Sequence, residues 1–190
     1  MTSILFVCHG NICRSPMAEF IMKDLVKKAG LEAQFYIESA ATSTEEIGNP
    51  VYPPARRKLA EHKINCSGKT ARQLVNSDYS QYDLLIGMDQ ANLRNMRRIF
   101  GSDYDGKLHL LMDYTDRPGD VTDPWYTGDF EQTWQDVLAG CSGLLKQLWH
   151  ACANEPDSHR KPACIYTVNT TGQKIPSTLK KAGKKCDHPS

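Results

Sequence analysis

The sequence predicts an α/β domain built on a four-stranded parallel sheet with helices on both faces. Three observations carry that expectation. Short continuous apolar runs, as strands buried on both faces require, alternate with segments of helical periodicity. Pro, Gly, Ser and Asp stand at the junctions, where turns and caps need them. The alternation fills residues 1–150 and then stops.

The first run, Ser3–Val7, reads as a strand. Ser15 and Pro16 read as the cap and first-turn residue of a helix in which Ala18, Ile21, Met22, Leu25 and Val26 recur at helical spacing, up to Gly30. Gln34–Glu38 is the second predicted strand. A polar stretch through Pro50, Pro53 and Pro54 leads into a helix carrying Ala55, Leu59 and Ala60. Asp83–Met88 is the third strand, followed by a helix that Asp89 caps and Gly101 ends after Phe100. Lys107–Met112 is the fourth strand. A long Asp- and Gly-rich loop follows, and then a helix from about Asp129 to Trp149. Its inward residues are Phe130, Trp134, Val137, Leu138, Cys141, Leu144, Leu145 and Leu148.

Composition narrows the function classes. Mean hydropathy is -0.51 and no apolar run approaches a membrane span. The apolar stretch Ile4–Val7 runs straight into His9, Asn11 and Arg14, unlike a secretory leader, so a cytoplasmic location is expected. Seven cysteines, an odd number without regular spacing, argue against a disulfide-stapled secreted domain. Residues 151–190 hold 7 Lys+Arg and 3 Asp+Glu, against 16 and 19 in residues 1–150. With four large aliphatic residues and four prolines, that segment lacks a core's worth of apolar surface and reads as a disordered basic tail. Its charge is too dilute to predict nucleic-acid or membrane binding. His150, Cys152, Cys164, Cys186 and His188 are too widely spaced to resemble a compact zinc site.

The chemistry is concentrated in Cys8-His9-Gly10-Asn11-Ile12-Cys13-Arg14-Ser15-Pro16, between the first strand and the first helix. Open α/β sheets bind ligands at the carboxyl ends of their strands. Successive backbone N–H groups running into a helix N-terminus make an anion cradle there. Arg14 adds a bidentate donor matched to phosphate oxygens, and the same field favours the Cys8 thiolate. Gly10 and Asn11 tolerate the positive φ that a tight anion loop demands. A phosphate-binding loop with a nucleophile at its floor points to phosphoryl transfer through a thiophosphate intermediate.

The stretch Val7 to Glu19, with Cys-x5-Arg-Ser-Pro near the N-terminus, closely resembles the low-molecular-weight protein tyrosine phosphatase family. The resemblance continues in the family's order through Ser39-Ala40-Ala41-Thr42, Ala71-Arg72-Gln73, Met88-Asp89 with Asn92-Leu93, and Asp123-Pro124-Trp125-Tyr126. It implies Cys8 as nucleophile, Arg14 as phosphate clamp and Asp123 as general acid, then base. It implies that His9, Gly10, Asn11, Ile12, Cys13 and Ser15 line the phosphate site and that Trp125 and Tyr126 wall the pocket around a phenyl ring. Ser15 would donate to the Cys8 sulfur, and Asn11 would be held left-handed by Ser15 and Ser39. Where the family commonly has a fourth, histidine member, this chain has Lys69, which has donors and no acceptor. Cys13 matches the cysteine that implies a reversible Cys8–Cys13 disulfide under peroxide. Glu45 stands where the family often has an aromatic residue, giving an acidic rim that disfavours acidic phosphopeptides.

Two relatives of the fold are set aside by the same residues. Arginine phosphatases of this type resemble the chain but place Thr at Ile12 and a small segment after Asp-Pro. Thioredoxin-coupled arsenate reductases lack the Asp-Pro acid and need further cysteines, where this chain has only Cys66 in mid-domain. The expected activity is therefore cofactor-free and metal-free hydrolysis of phosphotyrosine in proteins or peptides, and of small aryl phosphates. Inorganic phosphate is the expected product.

Overall fold

The computed structural model describes residues 1–153 and two short strands beyond them. The chain divides into two units, Met1–Gln147 and Leu148–Ser190. In the first, β1 (Thr2–Cys8), β2 (Phe35–Ala41), β3 (Leu84–Gly87) and β4 (Leu108–Leu110) form one sheet in the order β2-β1-β3-β4. Every neighbouring pair is parallel, with Cys8 beside Ala41 and Val7 beside Gly87. In the second unit, β5 (Tyr166–Val168) and β6 (Lys174–Pro176) pair antiparallel. The rest of the sequence predicted as a tail, including Cys164, Cys186 and His188, lies outside the described residues.

Strand β1 is buried from Ile4 onward because it has a strand on each side and helices on each face. Its alternate residues Leu5 and Val7 join Leu85, Leu108 and Leu110 under Leu93 and Met96 of α4 (Gln90–Phe100). The pleat turns Ile4 and Phe6 to the opposite face. There α1 (Arg14–Lys28) packs on β1 and β2, with Met17, Ile21 and Met22 buried. Just past the end of α1, Gly30 sits at φ 69, and the N–H groups of Gly30 and Leu31 bond back to the Lys27 and Val26 carbonyls. The predicted role of Asp89 is met, its side chain accepting from Asn92 N–H at 2.7 Å.

Helix α2 spans Pro53–Glu61, and α6 spans Phe130–Ala153, four residues past the expected end. Asp129 accepts from Gln132 N–H and so caps α6. Phe130, Leu138 and Leu145, expected inward, are only partly buried. Helix α6 comes against the 3-10 turn Leu111–Tyr114 so closely that a Cβ on Gly140 would strike Leu111, and one on Gly143 the Tyr114 carbonyl. Its Cys141 thiol bonds the Ala18 carbonyl of α1.

Several boundaries move. Gln34 belongs to a 3-10 turn, and β2 starts at Phe35 and runs on to Ala41, because all seven residues of β1 offer it a partner. The fourth strand is three residues, since Leu111 and Met112 turn away into the 3-10 turn. Two single-turn helices appear, α3 (Asp78–Gln81) in a stretch given no element and α5 (Pro124–Thr127) within the predicted long loop. Among the described residues, no helix is long and apolar enough to cross a membrane.

Candidate active site

Strand β1 is the switch point of the sheet: β2 lies on one side of it and β3 on the other. The loop leaving β1 therefore opens into the crevice where ligands of such sheets sit. Cys8 ends the strand, 3% exposed, and α1 begins at Arg14. Outward carbonyls of the loop are held by the surrounding chain. Thr42 and Ser43 N–H bond Cys8 and His9, and Tyr52 N–H bonds Ile12. Ser15 is not the helix cap. Cys13 occupies that position, and Ser15 lies one residue inside the first turn with its hydroxyl 3.0 Å from Cys8 Sγ. Of the two roles expected of Ser15, the cap passes to Cys13 and the contact with the sulfur is present.

Asn11 organises the loop. It is buried, sits at φ 57, and its N–H points at Cys8 Sγ at 3.3 Å. Its Oδ1 accepts Arg72 N–H at 3.2 Å, and its Nδ2 lies 2.8 Å from both Ser15 Oγ and Ser39 Oγ. A backbone N–H can only donate, so the amide orientation is settled. Nδ2 must then donate to both serines. Ser15, accepting from Nδ2, has its own proton to offer Cys8 Sγ at 3.0 Å, and with the Asn11 N–H the sulfur can receive two donors. Ser39 turns its proton to Glu19 Oε2 at 2.6 Å. Buried Glu19 faces two ammonium groups, Lys69 at 2.9 Å and Lys23 one turn along α1. Lys69 also donates to the Ser39 carbonyl. Lys69 therefore joins this network through Glu19 and the backbone, without touching Asn11.

Arg14 reaches across the loop from the other side. Its side chain, 5% exposed, bonds Asp89 at 2.7 Å through Nη1 and Asp123 at 2.6 Å through Nη2. Burial alone would lower the guanidinium, but Cys8, Asp123 and Asp89 outweigh it and push it up, so it stays a full cation. Asp123 caps α5, with Oδ1 accepting Trp125 N–H at 3.0 Å, and Pro124 follows in the first turn. The carboxylate predicted as acid thus meets the guanidinium predicted as clamp. Cys13 is buried, and burial, reinforced by Cys8 and Asp123, pushes its thiol to about 12. One loop cysteine is held as a thiol beside the other.

At the rim, Trp125 and Tyr126 are 61% and 86% exposed, so neither is core. The Trp125 ring lies 5.8 Å from Tyr52 at the start of α2, which adds an aromatic residue that sequence reading did not find. His9 is exposed and bonds Glu45 at 3.0 Å, so the acidic rim is partly spent on the loop's own histidine. Gly10 packs against Glu46, and Ile12 is half-buried. Asp89, Glu19 and Arg72 were also missed as site residues. Asp89 carried a visible signal, its cap position, which masked its second role; its Oδ1 caps α4 while Oδ2 takes Arg14. Glu19 and Arg72 each have a nearby charged partner, Lys23 and Asp78, but the contacts that tie them to the loop, to Ser39 and Asn11, lie far along the chain.

Residues 3–154 match the profile of the family described as low molecular weight phosphotyrosine protein phosphatase. The chain belongs to this family. Its similarity to the low molecular weight protein-tyrosine-phosphatase YfkJ of Bacillus subtilis is 40% identity over 150 residues, 78% of this chain and 96% of that protein. The crystal structure of YfkJ superposes with a TM-score of 0.77 at 39% identity, covering 79% of this chain and 96% of the other. The low molecular weight protein tyrosine phosphatase SP-PTP of Streptococcus pyogenes gives 0.71 at 42% identity, covering 78% and 93%. A Drosophila arginine phosphatase also gives 0.71, at 28% identity, covering 83% and 100%. The low molecular weight phosphatase scaffold is thus common to proteins named for two different phosphoamino acids, and selectivity has to be argued from the pocket.

Proposed function

We propose that this phosphatase hydrolyses phosphotyrosine in proteins or peptides, and small aryl phosphates, through a phosphocysteine on Cys8. The observation that carries the reading is the Arg14–Asp123 ion pair, because it puts an acid beside the guanidinium that would hold the phosphate. Substrate phosphate takes over the Arg14 fork and the loop N–H groups. The Cys8 thiolate attacks phosphorus; the S–P bond forms as the bond to the aryl oxygen breaks. The phosphate displaces Asp123 from Arg14, and Asp123 takes up a proton from water or from the monoanionic phosphate ester and gives it to the departing phenolate. A water then gives its proton to Asp123 and attacks phosphorus. The S–P bond breaks, its electron pair returns to Cys8, and inorganic phosphate leaves. Ser15 and the Asn11 N–H hold the sulfur's charge before the first step and after the second.

Selectivity for tyrosine is supported by Ile12, an apolar residue in the loop, and by the Trp125, Tyr126 and Tyr52 aromatic side chains at the mouth. A phosphotyrosine ring gains from such a wall, whereas a phosphoarginine guanidinium asks for polar partners. The test compares kcat/KM for one peptide phosphorylated at Tyr and, separately, at Arg, with reductant and chelator present. A tyrosine preference of tenfold or more, about 1.4 kcal/mol in the transition state, is expected. An arginine preference would keep the two-step chemistry and overturn the substrate. Acid quench during turnover should recover phosphate on the Cys8 peptide, and its absence would overturn the intermediate.

A further inference from the structure

The hydrogen bond that settles the Asn11 amide comes from the backbone of Arg72, a residue whose side chain points into a cluster of its own. Residues 71–74 extend the edge of β2. Ala41 N–H bonds the Arg72 carbonyl at 2.8 Å, and Leu74 N–H bonds the Ala41 carbonyl at 2.8 Å. The Arg72 guanidinium then forks onto Asp78 through both terminal nitrogens, at 3.0 and 3.2 Å. It also meets Tyr82 Oη at 3.3 Å, the Gln73 carbonyl at 3.3 Å and Glu38 at 3.4 Å. Tyr82 closes the cluster by donating to Glu38 at 2.6 Å, and buried Asp78 accepts Val75 N–H. Burial would raise the Glu38 carboxyl, but hydrogen bonds from Tyr82 and Tyr36, with Arg72 beside them, hold it below its ordinary value, so it stays an acceptor. Arg and Asp in a two-bond fork fix geometry more tightly than any single bond.

We propose that Arg72 is a positioning residue for Cys8: the clamp of Asp78, Glu38 and Tyr82 holds its N–H on Asn11 Oδ1 and thereby sets the direction of the hydrogen-bond relay to the sulfur. Without the clamp the residue-72 N–H is no longer held on Oδ1, and the Asn11 amide is free to turn its oxygen toward Ser15. The Ser15 proton then goes to Asn11, and Cys8 keeps one donor instead of two. The inference rests on the reading of Cys8 as nucleophile.

The test is the pH profile of Cys8 alkylation by iodoacetamide, read by peptide mass on the full chain, together with kcat and KM. Arg72→Met should move the alkylation midpoint upward by about one pH unit, equivalent to a tenfold loss of thiolate below it. It should lower kcat with little change in KM. Ser15→Ala removes the end of the relay and should give a shift at least as large, so Arg72→Met in the Ser15→Ala background adds nothing further. Asp78→Asn loosens the fork while leaving Arg72 in place. It should give a smaller shift, also cancelled by Ser15→Ala, and it carries the test if Arg72→Met does not fold. An unmoved midpoint in the folded variants, or shifts that add to that of Ser15→Ala, would overturn the proposal. Alkylation needs no turnover. A wild type without phosphatase activity would therefore refute the proposed function, while the midpoints would still decide the role of Arg72.

Discussion

Asp123, the proposed acid, is also the resting partner of Arg14, and Asp123→Asn should separate the two roles by sending two observables in opposite directions. As the proton donor, Asp123 matters in proportion to the basicity of the leaving group. General acids contribute typically 10²–10⁴-fold, and the full effect is expected for phenyl phosphate, whose phenolate needs the proton. A p-nitrophenolate departs nearly unaided, so its phosphate should slow far less. As a resting partner of Arg14 at 2.6 Å, the same carboxylate competes with phosphate for the guanidinium. Both side chains are mostly shielded, 5% and 26% exposed, so the pair is not a screened surface contact. A hydrogen bond to a charged acceptor is worth about 1.5–3 kcal/mol and one to a neutral acceptor about 0.5–1.5. Asparagine therefore gives up about 1 kcal/mol of the competing interaction, and it also removes the repulsion between carboxylate and phosphate dianion. Inorganic phosphate should inhibit Asp123→Asn about fivefold more tightly than wild type. The assay is steady-state hydrolysis of the two aryl phosphates with phosphate as competitive inhibitor. Equal slowing of both substrates would remove Asp123 from the acid role. Phosphate inhibition that is unchanged or weaker would show that the Arg14 pair does not gate the site.

The two loop cysteines should behave differently toward alkylation, because burial and the neighbouring Cys8 push Cys13 to about 12. Iodoacetamide at neutral pH is expected to label Cys8 and spare Cys13 in the folded protein; labelling of both at similar rates would refute that assignment. Peroxide should oxidise Cys8 to the sulfenic acid, which Cys13 converts to a disulfide with loss of water. In Cys13→Ser, excess peroxide should carry the sulfenic acid on to the sulfinic acid, so thiol reductant should restore activity in wild type and not in Cys13→Ser, and equal recovery in both would remove the protective role. Away from the chemistry, Gly143→Ala should destabilise the domain although alanine is the better helix former, since the added Cβ meets the Tyr114 carbonyl rather than a movable side chain. Overpacking of this kind costs about 1–3 kcal/mol, or a fall in Tm of several degrees for a chain this size, and a Tm equal to or above wild type would show that the turn yields freely.

The sheet was legible because its strands announce themselves locally. Ser3–Val7 and Asp83–Met88 are apolar almost without interruption, as β1 and β3 must be when both faces are covered, and Asp89 and Gly101 bracket α4 within the sequence itself. Strand ends were harder to place, since they depend on partners elsewhere. β2 continues to Ala41 only because Cys8 is there to pair with it. β4 stops at Leu110 because Leu111–Tyr114 must turn beneath the two glycines of α6. A glycine in a helix reads as a weakness until the surface it approaches is known.

The site divides along the same line. The proposed chemical groups Cys8, Arg14 and Asp123 stand out in the sequence because each belongs to a contiguous motif whose chemistry is local. The groups that orient them are not local: Arg72 reaches Asn11 across 61 positions, Arg14 reaches Asp89 across 75, and Glu19 meets Ser39 across 20. Ser15 meets the sulfur, as the family resemblance implies, but leaves the cap to Cys13, and Asp89 keeps its cap and takes on Arg14 as well. The reason is common to both. A hydroxyl or carboxylate has more hydrogen-bonding capacity than one local partner consumes, and in a buried site the remainder must be satisfied by whatever the fold brings near. Asn11 is the limiting case, with both amide hydrogens and its oxygen engaged by three different segments. A change at any of those segments therefore acts on Cys8 through the direction of one side-chain amide, which is why positioning residues far from Cys8 in sequence should move its titration.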